Sequence, residues 1–324
     1  MNKLTQVTEI EWEQVCDYNK QITSEFLEQQ HLSPQTLRQY QSALKLFFRW
    51  VKDNCNNKPL IELKPRDALR YQNFLMGRDL SSSGVKFKRS AVSSLCGYIE
   101  LYYAEEYPIF RNIYNKKIPN PPKAAKYEKK PLTKEELKLL IETLEGREEW
   151  QMLTYVQLSY STGGRRAEVG QLLKEISTYE KVKDKKTGEY KNYYMTNKVR
   201  AKGGGRVGVI KKLTLSQVAM DSLLKWLDVR GEDECQAVFV KKTKNGQVRP
   251  LHPSSFNYWC NEVFTDIVGR RVHPHQLRST RATHLVVYDG KDIKSAQSLL
   301  GHQSSETTEI YVVRDSDDDV DDAF

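Results

Sequence analysis

The chain has 324 residues and carries 51 lysines and arginines against 42 aspartates and glutamates, a formal net charge of +9. This length predicts two domains, each large enough to bury its own core. Five scattered cysteines without a C-x-x-C pair argue against a disulfide framework or a zinc site, and they favour a reducing cytoplasm. No apolar run is long enough to span a membrane, and the N-terminus does not resemble a signal peptide.

The charge is unevenly distributed along the chain. Six aspartates lie in the last ten residues, 315–324, which form an acidic tail. Without these six negative charges, the net +9 becomes +15 for the rest of the chain. A chain this basic favours a polyanionic partner, most often nucleic acid, over the alternative of a generally lysine-rich surface.

Residues 1–114 are predicted to form a helical domain. Ser33 and Pro34 combine an N-cap with a proline at the first helical position. Another helix starts at Pro65, and a loop over residues 81–84 is expected to lead into a third. An apolar stripe at helical spacing follows Pro34, namely Leu37, Tyr40, Leu44, Phe47 and Val51. Basic residues near these helices are candidate DNA contacts, with solvated helix faces as the alternative: Arg38, Lys45, Lys86, Lys88 and Arg89.

Residues 115–131 are rich in proline and lysine. Prolines keep such a segment extended, which is typical of a linker between domains. Its charge would suit passage along a DNA backbone, and Lys123 is a further candidate DNA contact. An ordinary solvated linker is the alternative.

Residues 132–314 are predicted to form a second domain of mixed α+β structure. Thr133 and Glu136 have the spacing of a capping box. Helices follow, then β-prone residues with glycine turns over 176–215, which predict a small three-stranded antiparallel sheet. Lys202 opens the glycine-rich turn of a hairpin. Residues 216–229 and 254–268 are helical again.

The C-terminal part of this domain concentrates groups suited to a phosphate diester. His275 and Arg278 are three residues apart, so a helix would place them on one side. Arginine neutralises phosphate oxygens, histidine shares protons, and a tyrosine such as Tyr311 can attack phosphorus. His284 is interpreted as structural. A metal pair of His273 and His275 is disfavoured because no third ligand lies at useful spacing, and no nucleotide-binding motif is present.

Four motifs in chain order resemble those of the tyrosine recombinases, also called phage-type integrases. Residues 162–168 resemble the T-G-x-R-x-x-E box, and Lys202 matches the β-hairpin lysine. The other two motifs, H-x-L-R…A-T-H-L and L-G-H-x-S…T-T-x-x-Y, correspond to residues 275–278 with 282–285 and to residues 300–304 with 307–311. Arg166 beside Arg165 makes the register ambiguous, and alignment on Thr162 and Glu168 selects Arg165. Gly164 and Arg166 depart from the usual pattern and are expected to loosen this turn.

The resemblance implies a role for each matching residue. Arg165 and Arg278 would clamp the scissile phosphate, and Lys202 would protonate the leaving 5′ oxygen. His275 would assist proton movement, and His302 would hydrogen-bond the phosphate. Tyr311 would be the nucleophile that forms a 3′-phosphotyrosine. Glu168 would support the site.

The resemblance also implies a fold and a function. The fold would be mainly α with a small antiparallel sheet, and its two domains would form a C-shaped clamp around DNA, in the short build of Xer-like or transposon recombinases of bacteria or phage. The activity would be site-specific recombination without metal, ATP or another cofactor. A homotetramer would act on a double-stranded recombination site, with an accessory directionality or architectural factor as a further partner. The alternatives are a catalytically silent DNA-binding regulator and an enzyme like type IB topoisomerases or telomere resolvases; the compact length and the H-x-L-R box favour recombination.

Overall fold

The structure is a computed structural model that describes residues 4–78, 80–114, 118–122, 130–301, 308–309 and 312. The chain divides into two compact units. The first comprises residues 1–127 with 204–207, and the second comprises residues 128–203 with 208–324. Each unit has a hydrophobic core of its own.

The regular secondary structure in the described part of the first unit is helical. Its helices are α1 (Glu9–Glu13), α2 (Asp17–Leu27), α3 (Pro34–Asn54), α4 (Pro65–Met76) and α5 (Ser82–Tyr102). As predicted, Ser33 caps α3, because its Oγ accepts a hydrogen bond from the Thr36 N–H at 3.1 Å. The predicted loop at residues 81–84 is wrong. Ser81 accepts a hydrogen bond from the Gly84 N–H at 3.1 Å, so this serine-rich segment caps and begins α5.

The core of the first unit forms around the apolar face of α3. Leu44, Phe47 and Val51 from the predicted stripe are fully buried. The Tyr71 ring of α4 packs edge-on against Phe47, with ring centroids 4.9 Å apart. Ile118, within the predicted linker, is also buried in this core, so this residue packs on the first unit.

The second unit contains eight α-helices within the described residues. They are α6 (Lys134–Gly146), α7 (Trp150–Thr162), α8 (Arg166–Val169), α9 (Gln217–Arg230), α10 (Pro253–Tyr258), α11 (Thr265–Val268), α12 (Pro274–Thr283) and α13 (Ile293–Leu300). The π-helical segments Trp259–Phe264 and His284–Tyr288 continue α10 and α12. The predicted capping box is present: the Thr133 Oγ1 accepts from the Glu136 N–H at 3.1 Å, and the Glu136 Oε2 accepts from the Thr133 N–H at 2.8 Å.

Six short strands lie in the described part of the second unit. They are β1 (Tyr194–Met195), β2 (Val199–Ala201), β3 (Val209–Lys211), β4 (Thr214–Leu215), β5 (Val240–Lys242) and β6 (Val248–Pro250). They pair antiparallel as β1–β4, β2–β3 and β5–β6. The small antiparallel sheet is therefore confirmed, but it consists of two-stranded ladders and not of one three-stranded sheet.

A bulge separates the first two ladders. Residues 196–198 join β1 to β2, whereas only residues 212–213 join β3 to β4, so three residues face two. The Thr196 N–H donates to the Leu213 carbonyl at 2.8 Å, and the Leu213 N–H donates to the Thr196 Oγ1 at 2.9 Å. The Asn197 Nδ2 donates to the Gln171 carbonyl at 3.2 Å. These side chains satisfy backbone groups that a regular ladder would pair, and the extra residue bends the hairpin.

The core of the second unit surrounds α7. The Tyr155 ring is fully buried and packs against Phe256, with ring centroids 4.8 Å apart. On α12, Leu277 and Ala282 are also fully buried. The core therefore fixes both α7, whose end leads to Arg165, and α12, which carries Arg278. No helix in the described part of the chain has the length and apolar character needed to cross a membrane.

Candidate active site

The turn between α7 and α8 is closely packed. Gly163 has a φ of +56°, in the left-handed region that favours glycine. A Cβ on Gly163 would lie 2.6 Å from the Leu300 Cδ2, and a Cβ on Gly164 would lie 2.9 Å from the Val169 Cγ2. The Gly164 N–H also donates to the Thr162 Oγ1 at 3.0 Å. The space around Gly164 thus suits glycine, so its presence does not loosen the turn.

Arg165 follows this turn and is tied to Glu168 twice. Its backbone N–H donates to the Glu168 Oε2 at 3.0 Å, and its Nη1 donates to the Glu168 Oε1 at 3.0 Å. The Arg165 side chain remains 28% exposed, whereas that of Glu168 is only 1% exposed. The turn therefore places one guanidinium, held by a buried carboxylate, at the surface of the second unit.

The neighbouring Arg166 has a different partner. Its Nη1 donates to the Asn257 Oδ1 at 2.5 Å. The two consecutive arginines thus have different partners. Arg165 pairs with the carboxylate of its own motif, and Arg166 joins α8 to α10.

Glu168 has a second cationic partner, Lys211, whose Nζ lies 3.1 Å from the Glu168 Oε2. Burial acts to raise the pKa of Glu168. The hydrogen bond from the Arg165 N–H, the charge of Lys211 and the Arg165 guanidinium outweigh this effect, so the net pKa is lowered. The carboxylate is consequently ionised at neutral pH.

Arg278 lies at the centre of the site. Its side chain is 1% exposed, its Nη1 donates to the Gly163 carbonyl at 2.5 Å, and its Nη2 donates to the Leu300 carbonyl at 2.9 Å. One guanidinium therefore joins the ends of α7 and α13 to the middle of α12. Three of the sequence motifs meet at this side chain.

The two lysines of the β2–β3 hairpin lie in different surroundings. Lys202 follows β2 and is exposed. The Lys211 side chain, at the end of β3, is 19% exposed. Burial lowers the pKa of Lys211, Glu168 opposes this effect, and the positive charges of Arg278 and Arg165 add to the lowering. The structure thus places Lys211, which sequence reasoning missed, among the predicted site residues.

The β2–β3 register would have revealed Lys211. Lys211 pairs with Val199, and residues directly opposite in an antiparallel ladder share one face. Val199 and Ala201 are buried, whereas Arg200 between them is exposed. Lys211 therefore points to the inner face of the hairpin, where a lysine needs a charged partner.

The remaining motif residues are only partly described. His275 is the second residue of α12 and is partly buried. His302 and Tyr311 lie outside the described residues, as does Lys123. The structure thus brings Arg165, Glu168, Arg278 and Lys211 close together. Lys202, nine residues before Lys211 in the same hairpin, is exposed.

His284 has the structural role that its spacing predicted. Its Nε2 lies 2.8 Å from the Leu132 carbonyl oxygen, which can only accept, so this nitrogen carries the proton. Its Nδ1 then accepts from the Tyr160 hydroxyl at 2.9 Å. Burial lowers the pKa of His284. This neutral imidazole joins the start of the second unit to α7 and α12.

The candidate DNA contacts of the first unit differ in exposure and in their partners within the chain. Arg38 is exposed on α3. Lys45 lies 2.8 Å from the Glu9 carboxylate, and the Arg89 Nη1 donates to the Pro119 carbonyl at 2.9 Å. Lys86 and Lys88 are partly buried on α5, and burial lowers the pKa of Lys88. Two of the five described candidates thus already have partners within the chain.

The described residues contain no group of three histidine, cysteine or acidic side chains able to hold a metal ion. The positive charges around Gly163 come instead from arginine and lysine.

Two protein-family models match the chain. Residues 130–317 match the Phage integrase family, and residues 23–100 match the Phage integrase, N-terminal SAM-like domain. The chain is 34% identical over 327 residues to the SPbeta prophage-derived recombinase-like protein YomM of Bacillus subtilis (strain 168), across 99% of this chain and 95% of that protein. It is 25% identical to the tyrosine recombinase XerA of Thermococcus onnurineus (strain NA1), across 88% and 87% of the two chains.

Solved structures share the fold. The XerH site-specific recombinase bound to palindromic difH substrate superposes with a TM-score of 0.68 at 19% identity, across 97% of this chain and 86% of that chain. The Tn1549 transposon integrase in complex with transposon right end DNA gives a TM-score of 0.66 at 12% identity, across 94% and 98%. Since the catalytic family model alone covers more than half of the sequence, and a relative more than 30% identical spans nearly all of it, the chain belongs to the phage integrase family of tyrosine recombinases.

Proposed function

We propose that this protein is a site-specific DNA recombinase that cleaves and rejoins DNA strands through a covalent 3′-phosphotyrosine intermediate. The observation that carries the proposal is the junction at Arg278, where one buried guanidinium joins the turn of Arg165 to the Leu300 end of α13. Tyr311 follows α13 by eleven residues. Three motifs far apart in the sequence thus meet at one guanidinium, and Lys202 of the fourth would complete the site.

The proposed chemistry transfers a phosphoryl group from the DNA 5′ oxygen to the tyrosine and conserves the energy of the broken diester bond. The Tyr311 phenol gives its proton to His275, and its oxygen bonds to phosphorus while the bond between phosphorus and the 5′ oxygen breaks. Lys202 gives a proton to that leaving oxygen. Rejoining is the reverse, with a 5′ hydroxyl attacking the phosphotyrosine. Because the diester energy is kept in the covalent bond, no ATP is needed.

The other groups stabilise charge on the pentavalent transition state. Arg165 and Arg278 neutralise the non-bridging oxygens. His275 assists proton movement, and His302 hydrogen-bonds the phosphate. These side chains supply the positive charge that a metal would supply elsewhere, so we propose no cofactor.

The domains would divide the work. Residues 1–114 would bind the core of the recombination site, residues 115–131 would link the domains, residues 132–314 would catalyse, and residues 315–324 would form an acidic tail. Arg38, Lys86 and Lys88 would contact phosphates, as would Lys123. Lys45 and Arg89 would contact phosphates only after their present contacts with Glu9 and Pro119 break. A homotetramer would act on double-stranded DNA in the cytoplasm, with an accessory directionality or architectural factor as a further partner.

The test begins with a binding site selected from a random DNA pool. A nicked half-site built on that sequence loses its short fragment after cleavage, which traps the covalent product. With the label on the 5′ end of the cleaved strand, a denaturing gel should show a labelled protein band that forms equally in EDTA. Salt-sensitive binding without such a band would instead identify a silent regulator.

A further inference from the structure

We propose that Lys211 is a positioning residue of this site: it holds Glu168 against Arg165 and thereby fixes the guanidinium that meets the DNA phosphate. The inference rests on the proposed role of Arg165. The hairpin thus contains two lysines with separate roles, Lys202 and Lys211.

The contacts of Glu168 show why a second cation is needed. Its Oε1 accepts from the Arg165 Nη1 at 3.0 Å. Its Oε2 accepts from the Arg165 N–H at 3.0 Å and pairs with the Lys211 Nζ at 3.1 Å. A carboxylate that is 1% exposed is stable only when both oxygens are compensated. Lys211 therefore holds the oxygen that the Arg165 guanidinium does not reach.

The backbone fixes Lys211 in this place. The pairing of β2 with β3 sets Lys211 opposite Val199, which is 1% exposed. A Cβ built on Gly301 would lie 3.4 Å from the Lys211 Nζ, so the ammonium lies beside the backbone that leads to His302. Lys211 thus lies between the Glu168 carboxylate and Gly301 at the C-terminal end of α13.

The two hairpin lysines are suited to different tasks. Lys202 is exposed in the glycine-rich turn, where it has room to reach a bound DNA strand. The Lys211 ammonium is already engaged with Glu168. We therefore assign proton donation to Lys202 alone, and to Lys211 the placement of Arg165.

Loss of Lys211 should change the pH dependence of cleavage. Among the described residues, the charged groups that act on Glu168 are Arg165 and Lys211, and those that act on Lys211 are Glu168, Arg278 and Arg165. Without Lys211, burial would raise the pKa of Glu168 against weaker opposition. Glu168 would then become protonated at a higher pH than in the native protein, and Arg165 would lose its ionised partner there.

The experiment compares Lys211→Gln with Lys211→Arg and with the control Lys212→Gln. Lys212 is adjacent, exposed and equally charged. Single-turnover cleavage of the trapped half-site is measured at saturating DNA over a range of pH. Lys211→Gln should cleave about 10- to 100-fold more slowly, as expected for a displaced catalytic group, with its acidic limb moved to higher pH. Lys211→Arg should restore most of the rate, and Lys212→Gln should match the native enzyme.

A substrate with sulfur in place of the bridging 5′ oxygen separates the two lysines. The leaving thiolate needs no proton, because thiols are far more acidic than alcohols. This substrate should restore cleavage to Lys202→Ala but not to Lys211→Gln. Restoration of Lys211→Gln would show that Lys211 is itself the proton donor and would overturn the proposal.

Two further variants keep the result decisive. If Lys211→Gln does not fold, the double variant Glu168→Gln/Lys211→Gln takes its place, because it leaves no uncompensated buried charge. This double variant should fold but cleave slowly. Cleavage at the native rate would refute the inference. Arg165→Gln tests the role on which it rests. Native cleavage by Arg165→Gln would contradict the proposed function, whereas slow cleavage by Arg165→Gln beside native cleavage by Lys211→Gln would contradict only the inference.

Discussion

The Nη1 of Arg278 donates a hydrogen bond to the Gly163 carbonyl at 2.5 Å. The Nη2 of the same guanidinium donates to the Leu300 carbonyl at 2.9 Å. Both carbonyls lie at helix C-termini, of α7 and α13, where unpaired carbonyl oxygens and the helix dipole favour a cation. Arg278 is therefore both a structural junction and the proposed phosphate ligand, and the two roles can be separated by substitution.

Arg278→Lys should weaken both roles, because one ammonium cannot reproduce the fork of a guanidinium. We expect the free energy of unfolding in urea to fall by about 1.5–3 kcal/mol, the range for a hydrogen bond to a charged group. Cleavage should fall at least 100-fold. Arg271→Lys, just before the same helix, is the control, since the Arg271 side chain is exposed and this substitution should have little effect. Unaltered stability of Arg278→Lys would contradict the junction.

Gly164→Ala should destabilise the second unit because the added Cβ meets Val169, Thr162 and Leu213 at 2.9, 3.0 and 3.1 Å. Overpacking of this kind costs about 1–3 kcal/mol. Gly146→Ala is the matched control, since a Cβ there meets nothing within 4 Å. In a helix this alanine should stabilise by about 0.5–1 kcal/mol. Equal effects of the two substitutions in thermal unfolding would show that the turn has more space than the structure indicates.

The buried neutral His284 should make stability depend on pH. Its pKa is lowered by burial from its ordinary value of 6.5, so the unfolded chain binds a proton that the folded chain does not. The contribution of neutral His284 to the free energy of unfolding is fully present above pH 6.5. This contribution should fall as the pH drops from 6.5 to the pKa of the folded state. His284→Gln should be less stable at neutral pH and should show a smaller loss on acidification. Identical pH slopes for the two proteins would argue against this assignment.

Arg270 should stabilise the start of the second unit. Its Nε and Nη2 lie 2.6 and 2.5 Å from the two oxygens of Glu136, and Nη2 also donates to the Pro131 carbonyl. Arg270→Met should reduce the free energy of unfolding by about 1–2 kcal/mol, as expected for a partly exposed bidentate pair. The exposed neighbour gives the control Arg271→Met.

The Arg270 pair should also respond to acid. The hydrogen bond from Arg270 is the main reason that the pKa of Glu136 is lowered from 4.5. This stabilisation is present above pH 4.5 and lost as the pH falls through the folded pKa. A difference between native protein and Arg270→Met that persists in full at strongly acidic pH would contradict the account.

Local signals predicted the helix starts well. Ser33 with Pro34, and Thr133 with Glu136, act within a few residues, so their chemistry is visible in the sequence. The one clear failure of this kind was residues 81–84. Several serines and a glycine are typical of loops, but Ser81 alone was enough to cap a helix, and tertiary packing of α5 did the rest.

Contacts between distant segments were the part of the site that the sequence did not predict. The motifs identified Arg165, Glu168 and Arg278, but no local pattern indicated that Arg278 would bridge two backbone carbonyls. Lys211 entered through the β2–β3 register, and the bulge at Thr196 depends on bonds between two strands. Such features require the three-dimensional pairing of segments, which spacing along the chain does not contain.

The most direct test of the central claim is to identify the residue that holds the DNA. The covalent product of the half-site is digested with protease and nuclease, and the modified peptide is sequenced by mass spectrometry. The account predicts a nucleotide 3′-phosphate on Tyr311 and no covalent product from Tyr311→Phe. A nucleotide on any other residue, or a product that persists in Tyr311→Phe, would contradict it.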